Sequence, residues 1–266
     1  MSKTILITGS TDGIGKLAAL NLAKKGHQVY LHGRNKHKLQ QVIEEIKAEA
    51  RSENVSGLLA DFSDLDAVKE MSDQIKTSLS SLDVLINNAG IFNSPIKKDK
   101  NGIDIRFTVN FWAPVLLTNQ LIPLLRKSKE PRIINLGSAA QAPVTIENLT
   151  GPSNLPDQNA YAQSKLALTM WTFYLAETIK EISSIVVNPG SLLDTKMAKE
   201  AFGQVWSSAD KGSDILHDLA VAEKYHGISG EYFDNDQGGF GQAHPEAYNK
   251  EKTKALVETI KQYLKP

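Results

Sequence analysis

Short runs rich in β-branched and other apolar residues recur along the chain, separated by longer stretches whose apolar residues fall three and four apart. The runs Thr4 to Thr8, Gln28 to His32, Val55 to Ala60, Val84 to Asn87, Arg132 to Leu136, Ser184 to Asn188 and Gly230 to Phe233 read as strands. Most are apolar at consecutive positions, as strands buried on both faces of a sheet should be. Leu17, Leu20 and Ala23, then Leu39, Val42, Ile43 and Ile46, mark helices with one apolar face. The alternation predicts an α/β fold, a mainly parallel sheet with helices on both faces.

Two later segments stand out. One predicted helix covers roughly Phe107 to Arg126 and holds Pro114 and Pro123, where it should kink or fray. Another covers roughly Ala160 to Ile182, with Ala162, Leu166, Met170 and Phe173 at helical spacing. That stripe reads as core packing or a subunit interface, so a homo-oligomer stays open.

Composition narrows the function. The 266 residues carry 30 Lys+Arg against 30 Asp+Glu, a balance that argues against a nucleic-acid partner. The absence of cysteine removes disulfides, thiolate nucleophiles and Cys-ligated zinc, and no metal site is expected. Length alone allows two domains, but no repeat, low-complexity tract or linker divides the chain, so one domain over residues 1–266 is expected. The Thr4 to Thr8 run is too short for a signal-peptide core, and nowhere do 18 uncharged apolar residues run together. No membrane span and a cytoplasmic location are the expectation.

Directly after the first predicted strand stands Thr8-Gly9-Ser10-Thr11-Asp12-Gly13-Ile14-Gly15. A glycine-rich turn between strand and helix lets backbone approach a pyrophosphate at the positive end of the helix. The second strand ends in Gly33-Arg34-Asn35, with Lys36 and Lys38 beyond. A guanidinium there suits a 2′-phosphate and denies a ribose 2′-hydroxyl its carboxylate acceptor, which selects NADP(H) over NAD(H). The third strand ends in Ala60-Asp61-Phe62-Ser63, where Asp61 can accept from an adenine amino group or cap the next helix, as Ser63 or Asp64 also could. The fourth ends in Asn87-Asn88-Ala89-Gly90, which reads as one lip of the same crevice.

Tyr161 and Lys165 lie four apart on one helical face. A tyrosine pKa of about 10 is too high for acid–base work near neutrality. A cation about 5 Å away at an effective dielectric of about 20 supplies roughly 3 kcal/mol, or about two pKa units. Lys165 and a nicotinamide cation together could therefore bring Tyr161 into range. Ser138, in Gly137-Ser138-Ala139-Ala140 after the fifth strand, can hydrogen-bond a substrate oxygen. A serine-hydrolase reading fails, because G-x-S-x-G is missing and none of the six histidines pairs with Ser138. His27, His32 and His37 read as surface or packing residues.

This ordered set resembles the short-chain dehydrogenase/reductase family over nearly the whole chain: Thr8-Gly9-x-x-x-Gly13-Ile14-Gly15, Asn87-Asn88-Ala89-Gly90, Asn110, Ser138, Tyr161-x-x-x-Lys165 and Asn188-Pro189-Gly190. The resemblance implies a single-domain, doubly wound Rossmann fold with a seven-stranded sheet. It implies that Tyr161 is the acid–base, that Ser138 positions the reacting oxygen, and that Lys165 binds the nicotinamide ribose and lowers the tyrosine pKa. Asn110 would hold a relay water at a helix irregularity. Gly9 to Gly15, Asn88, Ala89, Gly90, Pro189 and Gly190 would line the cofactor, with Asp61 and Phe62 at the adenine.

Two departures from the family pattern are informative. Ser138 and Tyr161 are 23 positions apart, so residues 142–158 form an inserted loop on the active-site side. Together with Arg34 and Gly230-Glu231-Tyr232-Phe233, this looks like the retinol dehydrogenase-like branch. Pro189-Gly190-Ser191-Leu192-Leu193-Asp194-Thr195 also carries one residue more than the family's Pro-Gly-x-x-x-Thr, which puts the placement of Thr195 in question. Substrate contacts are expected from 142–158 and from the region beginning at 191. There Leu192, Leu193, Met197, Phe202, Val205 and Trp206 suggest an apolar wall or a helix packed over the cofactor. The expected function is NADP(H)-dependent interconversion of a carbonyl and an alcohol. A non-catalytic NADP(H)-binding sensor is the alternative, and a methyltransferase is disfavoured because it would place an acidic residue where Arg34 stands.

Overall fold

Successive side chains of a strand point to opposite faces, yet Ile5, Leu6 and Ile7 of β1 (Thr4–Ile7) are all fully buried. Hiding all three requires a sheet covered on both sides. The computed structural model describes residues 2–264 and contains that sheet; residues 1, 265 and 266, the ends of the expected domain, lie outside the described residues. With β1 it comprises β2 (Gln28–Gly33), β3 (Val55–Leu59), β4 (Val84–Asn87), β5 (Arg132–Leu136), β6 (Ser183–Asn188), β7 (Glu231–Asp234) and β8 (Gly239–Gly241). Their order is β3-β2-β1-β4-β5-β6-β7-β8, parallel except for the β7–β8 pair.

The seven anticipated strands lie within one residue of their expected limits. The eighth is a correction to the expected seven. β8 is a Gly-Phe-Gly tripeptide with no alternation to announce it, held by antiparallel pairing of Tyr232 with Gly241 and Phe233 with Phe240.

The helices are α1 (Gly13–Lys24), α2 (Lys36–Ala50), α3 (Leu65–Ser78), α4 (Ile105–Phe107) and α5 (Ala113–Leu125), then α6 (Ile146–Thr150), α7 (Asp157–Thr178), α8 (Lys196–Phe202), α9 (Ala209–Val221) and α10 (Lys250–Tyr263). Ile5, Ile7, Val29, Leu31, Ile134 and Val187 pack against α1, α2 and α9. Leu6, Leu85, Ile133 and Val186 pack on the other face with Phe111, Trp112, Leu121 and Trp171. From β1 the sheet runs outward through β2 to β3, then resumes on the far side of β1 with β4. Between the carboxyl ends of β1 and β4, therefore, the chain direction splits and leaves a crevice.

The expected Phe107 to Arg126 helix is broken where its first proline demands. Pro114 has no N–H to donate to the Asn110 carbonyl four residues back, and Thr108–Trp112 forms a π-helical turn in which the Ala113 N–H reaches the Thr108 carbonyl. Pro123 lies inside α5, which stops two residues later.

Asn87 faces the core rather than the crevice lip, which corrects its expected placement. It lies in register with Asn135 and donates to Asn135 Oδ1 at 2.7 Å and to Thr118 Oγ1 at 2.9 Å, while Asn135 donates to Thr172 Oγ1 at 2.9 Å. This buried amide ladder ties β4 and β5 to α5 and α7. Of the expected stripe, Leu166 and Met170 lie in this chain's own core cluster with Phe173 packed against it, as the packing alternative expected, and Ala162 is buried. The inserted 142–158 segment is partly ordered by α6, whose Leu149 is fully buried and accepts from Trp112 Nε1 at 2.7 Å. Among the described residues no helix is long and apolar enough to cross a membrane.

Candidate active site

The loop between β1 and α1 is shaped by two close approaches. Gly9 has a φ of 62°, a conformation suited to glycine, and a Cβ there would lie 2.7 Å from Ala89 Cα. A Cβ on Gly15 would lie 2.3 Å from Asn88 Nδ2 and 2.8 Å from the Gly9 carbonyl. Asn88 holds the loop in turn, donating to the Thr8 and Gly9 carbonyls at 2.7 and 2.9 Å. Ser10 donates to the Ile7 carbonyl at 2.8 Å, and Asp12 caps α1 by accepting from the Gly13 N–H at 2.9 Å. The result is a bare backbone surface at the start of a twelve-residue helix beginning Gly13-Ile14-Gly15, the donor chemistry that a pyrophosphate needs.

Arg34 follows β2 on the exposed rim, next to Asn35, which caps α2. A Cβ on Gly33 would lie 2.5 Å from Thr11 Cγ2, so the glycine loop and the Arg34 loop abut. Lys38 bonds Asp12 at 2.6 Å across that junction, and Lys38 holds the Asp12 carboxyl below the usual carboxylate range. At the end of β3, Asp61 accepts from the Ser63 N–H and Oγ at 2.9 and 2.8 Å, whereas Asp64 is the cap of α3. Phe62 is buried and stacks on His32 with ring centroids 4.2 Å apart. His32 is buried too, which settles one of the two readings given to it.

The chain after β6 returns to the glycine loop. Pro189 precedes Gly190, whose φ is 123°, and Leu192 takes a φ of 47°, a left-handed conformation unusual for leucine. Leu193 becomes buried, and Thr195, the cap of α8, reaches back until its Cγ2 lies 3.5 Å from where a Gly13 Cβ would be. The expected apolar wall divides. Leu193 is core, whereas Met197, Val205 and Trp206 are exposed, Trp206 to 71%.

The chemistry-bearing residues meet at the carboxyl ends of β4 and β5. Gly90 marks the convergence, since a Cβ there would lie 3.3 Å from Asn110 Oδ1 and 3.5 Å from Lys165 Nζ. Asn110 sits in the π-helical turn with its side chain clamped to Ile91, accepting from the Ile91 N–H at 2.8 Å and donating to its carbonyl at 3.0 Å. Tyr161 packs beside Phe92 at 4.9 Å between centroids, and Lys165 Nζ lies 5.6 Å from the Tyr161 ring centre. Burial pushes the Tyr161 hydroxyl above its ordinary pKa, and its hydrogen bond with Ser138 opposes the rise. In the protein alone Lys165 does not bring Tyr161 into range. Such a trio can hold a carbonyl oxygen and pass it a proton.

Lys165 is itself held at a cost. It is buried, donates to the Leu136 carbonyl at 2.7 Å, and burial lowers its pKa to about 8. Above about pH 8 the unfolded chain keeps a proton here that the folded chain releases, so stability rises with pH up to the ordinary lysine range. Denaturant titration of the cofactor-free protein should show this rise, up to about 2 kcal/mol between about pH 8 and 10. The rise should be missing in Lys165→Met; parallel curves for the two proteins would contradict the assignment.

Sequence reasoning missed the groups that brace this trio. Gln141 and Tyr232 both donate to the Ser138 carbonyl, at 2.9 and 3.2 Å, so β7 steadies the Ser138 turn. Arg106 is almost fully buried, pairs with Asp104 at 2.6 Å and with Asp157 at 2.8 Å, and so ties α4 to the α7 turn preceding Tyr161. A signal existed for Tyr232 in its Gly-x-Tyr-Phe run; none existed for Arg106, which reads locally as a surface charge.

The chain is similar in sequence and fold to known proteins. The sequence profile of a family described as short chain dehydrogenase matches residues 3–206. Polyprenol dehydrogenase of Homo sapiens is 30% identical over 98% of this chain and 81% of its own length. Retinol dehydrogenase 13 of Mus musculus is 31% identical over 87% of this chain and 75% of its own. A chain described as a short chain dehydrogenase from Escherichia coli CFT073, complexed with NADPH, aligns with a TM-score of 0.72 at 25% identity. That alignment covers 88% of this chain and 96% of the other.

Proposed function

The chain belongs to the short-chain dehydrogenase/reductase family, in its retinol dehydrogenase-like branch, and from that premise we propose that it reduces and oxidises an apolar carbonyl–alcohol pair with NADP(H). The observation that carries this reading is the meeting of Ser138, Tyr161 and Lys165 beside the glycine-rich crevice. The dinucleotide fits the residues present: Gly9 and Gly15 leave bare backbone where a Cβ would collide. Gly9 to Gly15, Asn88, Ala89, Gly90, Pro189 and Gly190 would hold it, with Asp61 and Phe62 at the adenine and Arg34 at the 2′-phosphate. When bound, the cofactor supplies or accepts the hydride.

The chain's own residues do the rest. Ser138 orients the substrate oxygen, and Tyr161 gives it a proton in reduction or takes one in oxidation. Lys165 anchors the ribose and adds positive charge near the tyrosine. Asn110 serves by holding the loop after β4 against the π-helical turn. One dinucleotide-binding domain spans the chain on this reading, with 142–158 and the region from 191 shaping the substrate pocket. The complete catalytic set weighs against a non-catalytic sensor.

Two observations favour an apolar substrate. Met197, Val205 and Trp206 are exposed on the segment that follows the cofactor loop, and two relatives are named for a polyprenol and a retinol. NADPH oxidation should be followed against paired aldehydes and ketones of rising chain length. Specificity constants that climb with apolar length support the reading. A preference for short polar carbonyls would contradict the substrate class, and no oxidation of NADPH by any of them would contradict the activity.

A further inference from the structure

We propose that His32 is the positioning residue that sets the distance between the glycine loop and the adenine-side loop of the dinucleotide site, an inference that rests on the reading above. β2 lies between β1 and β3 in the sheet, and His32 stands near its carboxyl end, one residue past the last β1 pair, Ile7 with Leu31, and one before the last β3 pair, Gly33 with Leu59. Its ring spans from the chain just after β1 to the chain just after β3. Nδ1 faces the Gly9 N–H at 3.0 Å on the β1 side, and Nε2 faces the Ala60 carbonyl at 3.1 Å on the β3 side.

These two partners fix the protonation of the ring. An N–H can only donate, so Nδ1 must be bare; a carbonyl can only accept, so Nε2 must carry the hydrogen. The ring is therefore a neutral imidazole in one tautomer. Its burial, at 3% exposure, works the same way by pulling the pKa down to about 4. The backbone adds to the grip: the His32 carbonyl accepts from the Ser10 N–H and the His32 N–H donates to Ser10 Oγ, both at 3.0 Å.

On its other side the ring stacks against Phe62, beside Asp61, at the adenine end. Gly9 is thus wedged between His32 and Ala89, and displacement of the imidazole displaces the phosphate loop. A leucine of similar bulk would fill the space and leave the Gly9 N–H and the Ala60 carbonyl unpaired. An asparagine carboxamide oxygen can stand where Nδ1 stands and keep the Gly9 bond.

The test measures dissociation constants for NADPH and NADH by protein fluorescence, on wild type, His32→Leu, His32→Asn and Arg34→Asp. His32→Leu should weaken both nucleotides by the same factor, about tenfold, and His32→Asn should recover part of the loss. Arg34→Asp should weaken NADPH alone. Nitrogen NMR of the folded protein at neutral pH should show His32 with Nε2 protonated and Nδ1 bare, so the inference stays testable if the leucine variant does not fold. Wild-type affinity in folded His32→Leu, or the opposite tautomer, would overturn it. If wild type bound neither nucleotide, the proposed function would fail instead.

Discussion

Tyr161→Phe is expected to cut turnover by about a thousandfold or more while NADPH binding stays within about twofold. The change deletes one oxygen and leaves the ring that packs against Phe92. Among the described residues Ser138 is the side chain that loses a hydrogen bond with it, so the fold should tolerate the substitution. The proton then has no donor at the reacting oxygen, because Ser138 has no base beside it and Lys165 is turned toward the Leu136 carbonyl. Binding and chemistry should therefore separate cleanly: fluorescence titration with NADPH unchanged, steady-state rate lost. Turnover equal to wild type would remove Tyr161 from the reaction.

Arg34→Asp should reverse the nucleotide preference, lowering the NADPH-to-NADH ratio of specificity constants by about a hundredfold or more. A charge-assisted bidentate contact with a phosphate contributes roughly 1.5–3 kcal/mol, and an aspartate adds repulsion to its loss. The new carboxylate would also offer a 2′-hydroxyl the acceptor that it lacks in wild type. Lys38 cannot simply take over, since Asp12 holds it at 2.6 Å. The effect should weaken with added salt, because Arg34 is exposed. An unchanged ratio would show that the 2′-phosphate is bound elsewhere.

How much of this was readable beforehand differs between backbone and side chains. Strands announce themselves through buried runs such as Ile5-Leu6-Ile7, and the residues at their carboxyl ends inherit a shared crevice from the topology alone. The positions of the glycine loop and Ser138 at the crevice were legible for that reason, whereas Tyr161 and Lys165, on α7, were read from their spacing of four and from the family resemblance. Asn87 was misplaced because alternation puts it on the inward face, a fact that depends on the strand's register rather than on its composition. His32 was ambiguous because its value lies in what flanks it: Gly9 and Ala60 are distant in sequence and meet only through β2. Arg106 is opaque for the same reason, its partners Asp104 and Asp157 being brought together by α4 and α7. Thr195 was left in question by the extra residue, and the left-handed Leu192 that precedes it could not be read from composition.

The pKa directions sharpen the chemistry as well. An isolated Tyr–Lys pair suggests a depressed tyrosine, yet burial raises Tyr161 and lowers Lys165 to about 8. Near neutral pH Tyr161 therefore stays protonated, while Lys165 keeps most of its charge. In the proposed reaction, the positive nicotinamide ring of the oxidised nucleotide would favour ionisation of Tyr161.

The most direct measurement follows the hydride itself. Wild type and Tyr161→Phe would each be mixed with an apolar aldehyde and NADPH deuterated at the transferable position of the nicotinamide, and the alcohol product analysed by mass spectrometry. One deuterium per product molecule from wild type, with almost no product from Tyr161→Phe, is the predicted result. Product without deuterium, or equal product from the two proteins, would contradict it.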